Sequence, residues 1–244
     1  MTDFAFLHGG GQGGWVWAET IGEIMRQSAG SARCLALDAP GCGTKRGRET
    51  ADMAFAEISR ELVADVRAAG LKDVVLVGHS QAGMTMPEMA ELAPDLFARL
   101  VFVTCSAPLP GKTTLDQMGM GLHGSNPDQV GWPLDPMTTS MEDRFAAMFC
   151  NDMDAEATGA FLGKLGSDMW PQVCYEHHDW RRDHLRNLPV VYVKCLRDAA
   201  LPAQWQDIFA QRLHADTVVE LDCGHQAMTT RPAELAAILL SLAA

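Results

Sequence analysis

The chain has no apolar run as long as the roughly 18 residues a membrane-crossing helix needs. Its first residues, Met1-Thr2-Asp3, lack the basic start of a secretion signal, so the expectation is a cytoplasmic chain without membrane contact. Positive charge is scarce: 19 Lys and Arg stand against 31 Asp and Glu, a formal net charge of −12. Phosphate backbones and anionic lipids repel so acidic a chain, which argues against nucleic acid and membrane surfaces as partners. No repeat or low-complexity tract is visible. The cysteines, Cys34, Cys42, Cys105, Cys150, Cys174, Cys195 and Cys223, are odd in number and contain no C-x-x-C pair. Neither a disulfide framework nor a zinc knuckle is expected, and most read as small buried apolar residues. What remains is globular composition, 48% hydrophobic and 20% charged over 244 residues, which excludes disordered, collagen-like and coiled-coil chains. The length fits one domain, or one domain carrying an inserted cap. Oligomeric state is not readable, and a homodimer stays open.

Short apolar runs alternate with amphipathic ones. Phe4–Leu7, Arg33–Asp38, Asp73–Val77, Leu100–Thr104, Val190–Lys194 and Thr217–Leu221 read as strands, apolar almost throughout rather than alternating. That pattern predicts strands covered on both faces, hence a parallel sheet between helices. Phe55, Ile58, Leu62 and Val66 recur at helical spacing with Gly70 as a stop, and Leu235, Ile238, Leu239 and Leu242 mark a last helix with Pro232 in its first turn. The expected class is α/β, with a mostly parallel six-stranded sheet, right-handed crossovers and chemistry at the carboxyl ends of the strands. The rhythm breaks between Ala107 and Leu188, a stretch rich in Met, Gly, Pro and Trp with helical pieces at Glu142–Cys150 and Ala155–Leu165. It is too long for a loop and reads as an inserted cap, residues 107–188, over a core of residues 1–106 and 189–244.

Two glycine-rich turns point in different directions. Gly9, Gly11 and Gly14 after the first strand satisfy G-x-G-x-x-G, with Asp38 ending the next strand, as in a dinucleotide site. A run with this many glycines satisfies many templates, and no Lys-Ser/Thr follows to make a phosphate-binding Walker loop. The same glycines could instead bring bare backbone N–H groups up to a developing oxyanion. The third strand ends in Gly78-His79-Ser80-Gln81-Ala82-Gly83, a serine between strand and helix with small residues two positions to either side. This is the pattern of a nucleophile elbow, with Ala82 where Gly is usual; the plainer reading is a helix-capping serine. A serine nucleophile needs a base, and the base an orienting acid. His225, in Asp222-Cys223-Gly224-His225, follows the sixth strand, and Asp198 follows the fifth. The order Ser80, Asp198, His225 is that of α/β-hydrolases. Asp222 is expected to shape its loop, Asp207 falls on a helix, and Asp38 serves a turn or faces solvent. His79 is expected to point away from the nucleophile, and His8 to hydrogen-bond near the first glycine turn.

With these residues in view, the chain resembles the α/β-hydrolase superfamily, and within it the small methylesterase and hydroxynitrile lyase branch with its bacterial esterase relatives. The resemblance is carried by His8-Gly9-Gly10 with Gly13, Trp15 and Trp17; by Gly78-His79-Ser80; by Cys195–Pro202; and by Gly224-His225-Gln226-Ala227-Met228. It implies backbone N–H groups of Gly10 and Gln81 as the oxyanion hole of a serine hydrolase, and the apolar residues of the cap suit a small, apolar or aromatic ester. No metal or organic cofactor is implied, and the partner is a small ester-like molecule. Cyanogenic lyases of this branch carry Lys directly after the catalytic His; Gln226 stands there, which favours hydrolysis. Gly11, Met118, Met120, Trp132, Met148, Phe149, Trp170 and Gln226 are candidates for the substrate pocket. A carbamate or activated-amide hydrolase, a lyase, a slow-turnover ligand receptor and, remotely, an NAD-linked oxidoreductase are the alternatives. Glu176-His177-His178-Asp179 with Asp183 and His184 has no recognised ligand spacing and is expected to be a solvated face rather than a metal site.

Overall fold

A computed structural model of the chain describes residues 2–243. It contains strands β1 (Thr2–Leu7), β2 (Ala32–Leu37), β3 (Val74–His79), β4 (Phe97–Val103), β5 (Val190–Cys195) and β6 (Thr217–Leu221). Helices α1 (Ala18–Gln27), α2 (Phe55–Ala68) and α3 (Ala82–Leu92) separate the early strands. After β4 come α4 (Thr114–Met118), α5 (Met141–Phe149), α6 (Ala155–Leu162) and α7 (Val173–Glu176); α8 (Ala203–Arg212) follows β5, and α9 (Ala227–Thr230) and α10 (Pro232–Leu242) end the chain. The strands form one sheet in the order β2-β1-β3-β4-β5-β6, and every pairing is parallel.

Successive strand side chains point to opposite faces, and this divides the core in two. Ala5, Leu7, Val74 and Leu76 pack with Leu62, Met86 and Phe209 of α2, α3 and α8. Phe4, Phe6, Val75 and Val77 pack with Ile24, Leu235 and Leu239 of α1 and α10. The four inner strands are covered on both sides as their apolar runs predict. The two outer ones are not: β2 is largely half-exposed, and in β6 Thr217 and Val218 lie open. An edge strand has a neighbour on one side only, and apolar composition does not reveal that position. The α2 register follows Phe55, Ile58, Leu62 and Val66, and Glu57 closes its first turn by accepting the Ala54 N–H at 2.7 Å. Gly70 ends it at φ 67°. The cysteines are unpaired; all are buried except the half-buried Cys34.

Residues 107–188 add no strand to the sheet. Their buried Val130, Trp170, Cys174, Trp180 and Leu185 join the hydrophobic cluster beneath α2, α3 and α8, so this segment shares the main core. One buried carboxylate ties it down from the side. Asp168 accepts hydrogen bonds from Arg46 Nε and Nη2 (2.9 Å each), Gly43 N (2.8 Å) and Trp15 Nε1 (3.1 Å). Burial pushes the Asp168 carboxyl up, but the bonds from Arg46, Trp15 and Gly43 outweigh it and hold the group below the usual carboxylate range. A depressed carboxyl stabilises the fold above its unfolded pKa, and this contribution fades as pH falls through its folded pKa. Asp168→Ala is expected to lower unfolding stability by about 2–3 kcal/mol at pH 7. In denaturant titrations the gap between wild type and variant should narrow below about pH 4.

Candidate active site

The parallel sheet carries all six strand ends to one edge, and the site residues sit beyond five of them. Ser80 follows β3 with φ 53°, a left-handed conformation that a side chain adopts only under constraint. Its backbone is held on both sides: Ser80 N donates to Val103 O at 3.2 Å, and Ser80 O accepts from Ser106 N at 3.1 Å. The small flanking residues are sterically required. A Cβ on Gly78 would lie 2.1 Å from Met86 Sδ and 2.8 Å from Ala82 Cβ, and one on Gly83 would lie 2.4 Å from Ser106 O. On the helix side of the turn the backbone contact that forbids a Cβ falls at Gly83, one residue after Ala82.

His225 and Asp198 meet across two loops. His225 Nδ1 donates to Asp198 Oδ2 at 2.7 Å, and both side chains are buried. Asp198 Oδ1 accepts from Ala200 N (2.7 Å) and Leu201 N (2.8 Å), and Oδ2 also accepts from the Thr104 hydroxyl. The proton is thus fixed on Nδ1, leaving Nε2 as the basic nitrogen. Among the described residues Nε2 has no hydrogen-bond partner, and both His225 and Ser80 line one cavity of about 430 Å³. Thr104, with φ 39°, is a contributor that no motif announces; only its place at the end of β4 could have pointed to it. His79 Nε2 donates to the His225 carbonyl at 2.9 Å, so it supports the His225 loop from behind. Burial drives His79 well below the ordinary imidazole value, and the nearby His225 pushes the same way. His8 likewise falls to about 4 through burial; it accepts the Ala39 N–H at 3.2 Å and stays out of the cavity.

Gly10, Gly11 and Gln81 line the cavity beside Ser80. Among the described residues the backbone N–H groups of Gly10 and Gln81 have no protein acceptor. Two N–H groups of the glycine turn are committed elsewhere: Gly9 N donates to Gln12 Oε1 (3.3 Å) and Gly14 N to Asp38 Oδ1 (2.7 Å). Asp38 also accepts from Thr44 N and Oγ1, so the carboxylate that a ribose would need closes a turn instead. Met118, Trp132, Met148 and Phe149 line the cavity, together with Leu165, Met169 and Tyr175, which carry no sequence motif. Three expected pocket residues lie elsewhere. Trp170 is 2% exposed because its indole N–H donates to Gly9 O at 3.0 Å, drawing the ring under the turn. Gln226 is fully buried and accepts from Gln12 Nε2 at 3.2 Å. Met120 is 72% exposed and faces away. Asp207 pairs with Lys194 and Asp222 with Arg197, both at the surface. Among the described residues no group of three His, Cys, Asp or Glu could hold a metal ion, and His177 stacks on Phe55 at 4.1 Å.

With this geometry in hand, comparison with known proteins is informative. A model of the alpha/beta hydrolase family matches residues 4–238. The chain belongs to that family. Polyneuridine aldehyde esterase of Rauvolfia serpentina is 26% identical over 261 residues, covering 98% of this chain and 94% of that protein. Methylesterase 1 of Arabidopsis thaliana is 23% identical, covering 98% and 95%. The probable esterase PIR7A of Oryza sativa subsp. indica is 34% identical over 110 residues, 45% of this chain and 41% of that relative, so the chain spans about two fifths of it. An extracellular alpha/beta-hydrolase from a Paenibacillus species shares the fold, with TM-score 0.78 at 20% identity over 99% of this chain and 98% of that one. Among the described residues no helix is long and apolar enough to cross a membrane.

The elbow generates a direct test. Gly83→Ala should lower unfolding stability by about 1–3 kcal/mol, because Cβ and the Ser106 carbonyl cannot both keep their places. Ala82→Gly, which relieves no such contact, should change it far less; thermal denaturation distinguishes the two.

Proposed function

We propose that this alpha/beta hydrolase cleaves small, neutral, apolar or aromatic carboxylic esters through a covalent acyl-serine. The observation that carries the reading is that one cavity is lined by Ser80, by His225 pinned through Nδ1 to a buried carboxylate, and by Gly10 and Gln81 with unengaged backbone N–H groups. In the first half-reaction the Ser80 hydroxyl turns to His225 Nε2 and passes its proton there while Oγ bonds to the ester carbon. Apo geometry of this kind commonly tightens only when substrate is bound. The carbonyl electrons move onto oxygen, which the Gly10 and Gln81 N–H groups receive; one such donor typically contributes about 3–4 kcal/mol. The C–O bond then breaks, the alcohol leaves with the proton from Nε2, and an acyl-Ser80 remains. Water repeats the sequence in the second half, its proton going to Nε2 and then back to Ser80. Asp198 keeps the imidazole in the required tautomer and stabilises its charged form.

The cavity lining supports a neutral substrate. It contains no Asp, Glu, Lys or Arg, so a charged acyl chain would find no counter-ion in it. The esterase names of the relatives agree with this reading. Cyanohydrin cleavage is disfavoured, because the residue after the base, Gln226, is uncharged and faces Gln12 rather than the cavity. Carbamates or activated amides would use the same nucleophile and are separated only by assay.

Ser80→Ala should reduce p-nitrophenyl acetate hydrolysis to the uncatalysed rate, and a fluorophosphonate should label wild-type Ser80 as read by peptide mapping. Wild-type rates in the variant would defeat the proposal. Asp198→Asn should lower kcat by about 10⁴-fold while the protein still folds, because the imidazole then presents the wrong tautomer. In a panel of aryl esters, an acyl chain ending in a carboxylate should be hydrolysed far more slowly than its uncharged counterpart of equal length.

A further inference from the structure

Gln81 follows the proposed nucleophile, and its side chain has a different task from its backbone N–H. The residue is 7% exposed, yet its Nε2 is buried and has no acceptor among the described residues. An unpaired buried amide N–H is costly and is retained where a partner arrives with a ligand. The carboxamide leans over Gly10: a Cβ there would lie 2.5 Å from Gln81 Oε1. The Tyr175 hydroxyl converges on the same point, 3.7 Å from it. Both residues line the cavity, whose other walls are predominantly apolar. Burial raises the Tyr175 phenol to about 12, with Gln81 drawing it slightly back, so the phenol stays a neutral O–H donor and acceptor at any working pH.

We propose that the Gln81 carboxamide and the Tyr175 hydroxyl form a polar subsite beside the oxyanion position, selecting esters with an oxygen on the acyl carbon next to the scissile carbonyl. This inference rests on the serine-esterase reading and assigns the substrate class within it: esters of short 2-alkoxy or 2-hydroxy acids with an apolar remainder. The reasoning is one of reach. Two polar groups within 4 Å of the point where a Gly10 Cβ would stand, beside the oxyanion donors, are placed to meet atoms close to the reacting carbon. Rotation of the carboxamide about its last torsion presents Nε2 as donor to that oxygen. Tyr175 then satisfies the remaining lone pair, or accepts from a 2-hydroxyl. An aliphatic acyl chain of the same length leaves the Gln81 Nε2 unpaired, and that difference generates the discrimination.

The test compares p-nitrophenyl methoxyacetate with p-nitrophenyl butyrate, which are equal in chain length. The readout is the ratio of their kcat/KM values, in wild type, Gln81→Leu and Tyr175→Phe. Comparing ratios between proteins cancels the greater intrinsic reactivity of the methoxyacetate. Each variant is expected to lower the ratio by about 3- to 10-fold, the loss of one hydrogen bond, whatever happens to the absolute rates. Tyr175→Phe removes a single oxygen, so it keeps the test decisive if Gln81→Leu disturbs packing. A ratio unchanged in Tyr175→Phe, or both esters falling in parallel in both variants, overturns the subsite while leaving the esterase reading intact. Absence of Ser80-dependent hydrolysis of either ester in wild type overturns both.

Discussion

A carboxylate almost shut off from water must be surrounded by donors, and at Asp198 they come from separate parts of the chain. The backbone of its own loop supplies two, through Ala200 and Leu201; β4 supplies the Thr104 hydroxyl; the loop after β6 supplies the imidazole of His225. Remove any one and a buried charge loses part of its solvation by the protein. The group therefore acts as a positioning device. It fixes where the loops after β5 and β6 lie relative to β4, and β4 is hydrogen-bonded to the strand that carries Ser80. The proposed proton path inherits its geometry from this one ion.

The sheet makes such a convergence possible. Parallel strands deliver their carboxyl ends to the same edge, so residues separated by more than a hundred positions become neighbours with no long-range design beyond strand order. On that edge the chain accepts local strain. Ser80 and Thr104 both hold left-handed backbone angles, and each is followed or flanked by hydrogen bonds that keep it there. Support continues behind the site, where His79 donates to the His225 carbonyl and Gln12 links Gly9 to Gln226.

Much of this was legible in the sequence for a physical reason: chemistry at strand ends leaves a local signature. Gly78, Ser80 and Gly83 are constrained by steric contact within a few residues, so their pattern is short and readable. Asp198 and His225 follow apolar runs whose strand character is plain. The sheet edges were harder, since β2 and β6 share the composition of inner strands and differ only in what lies beside them. The cavity wall was harder still. Trp170 and Met120 are both large and apolar, but one is captured by the Gly9 carbonyl and the other is left outside. Which way a side chain turns in an irregular segment depends on partners far away in the chain, as Trp170 depends on Gly9. Thr104 and Tyr175 were missed for the same reason.

The segment between β4 and β5 is anchored in the main core; Trp170, Trp180, Cys174 and Leu185 are sunk in the cluster under α2 and α3. Swinging it away as a rigid flap would drag two indoles into water, at about 4–6 kcal/mol for each ring. Any widening of the cavity that keeps these rings buried is therefore confined to movements that leave this anchor in place. Residues 107–188 are thus moored to the sheet through the same apolar cluster that seats its helices.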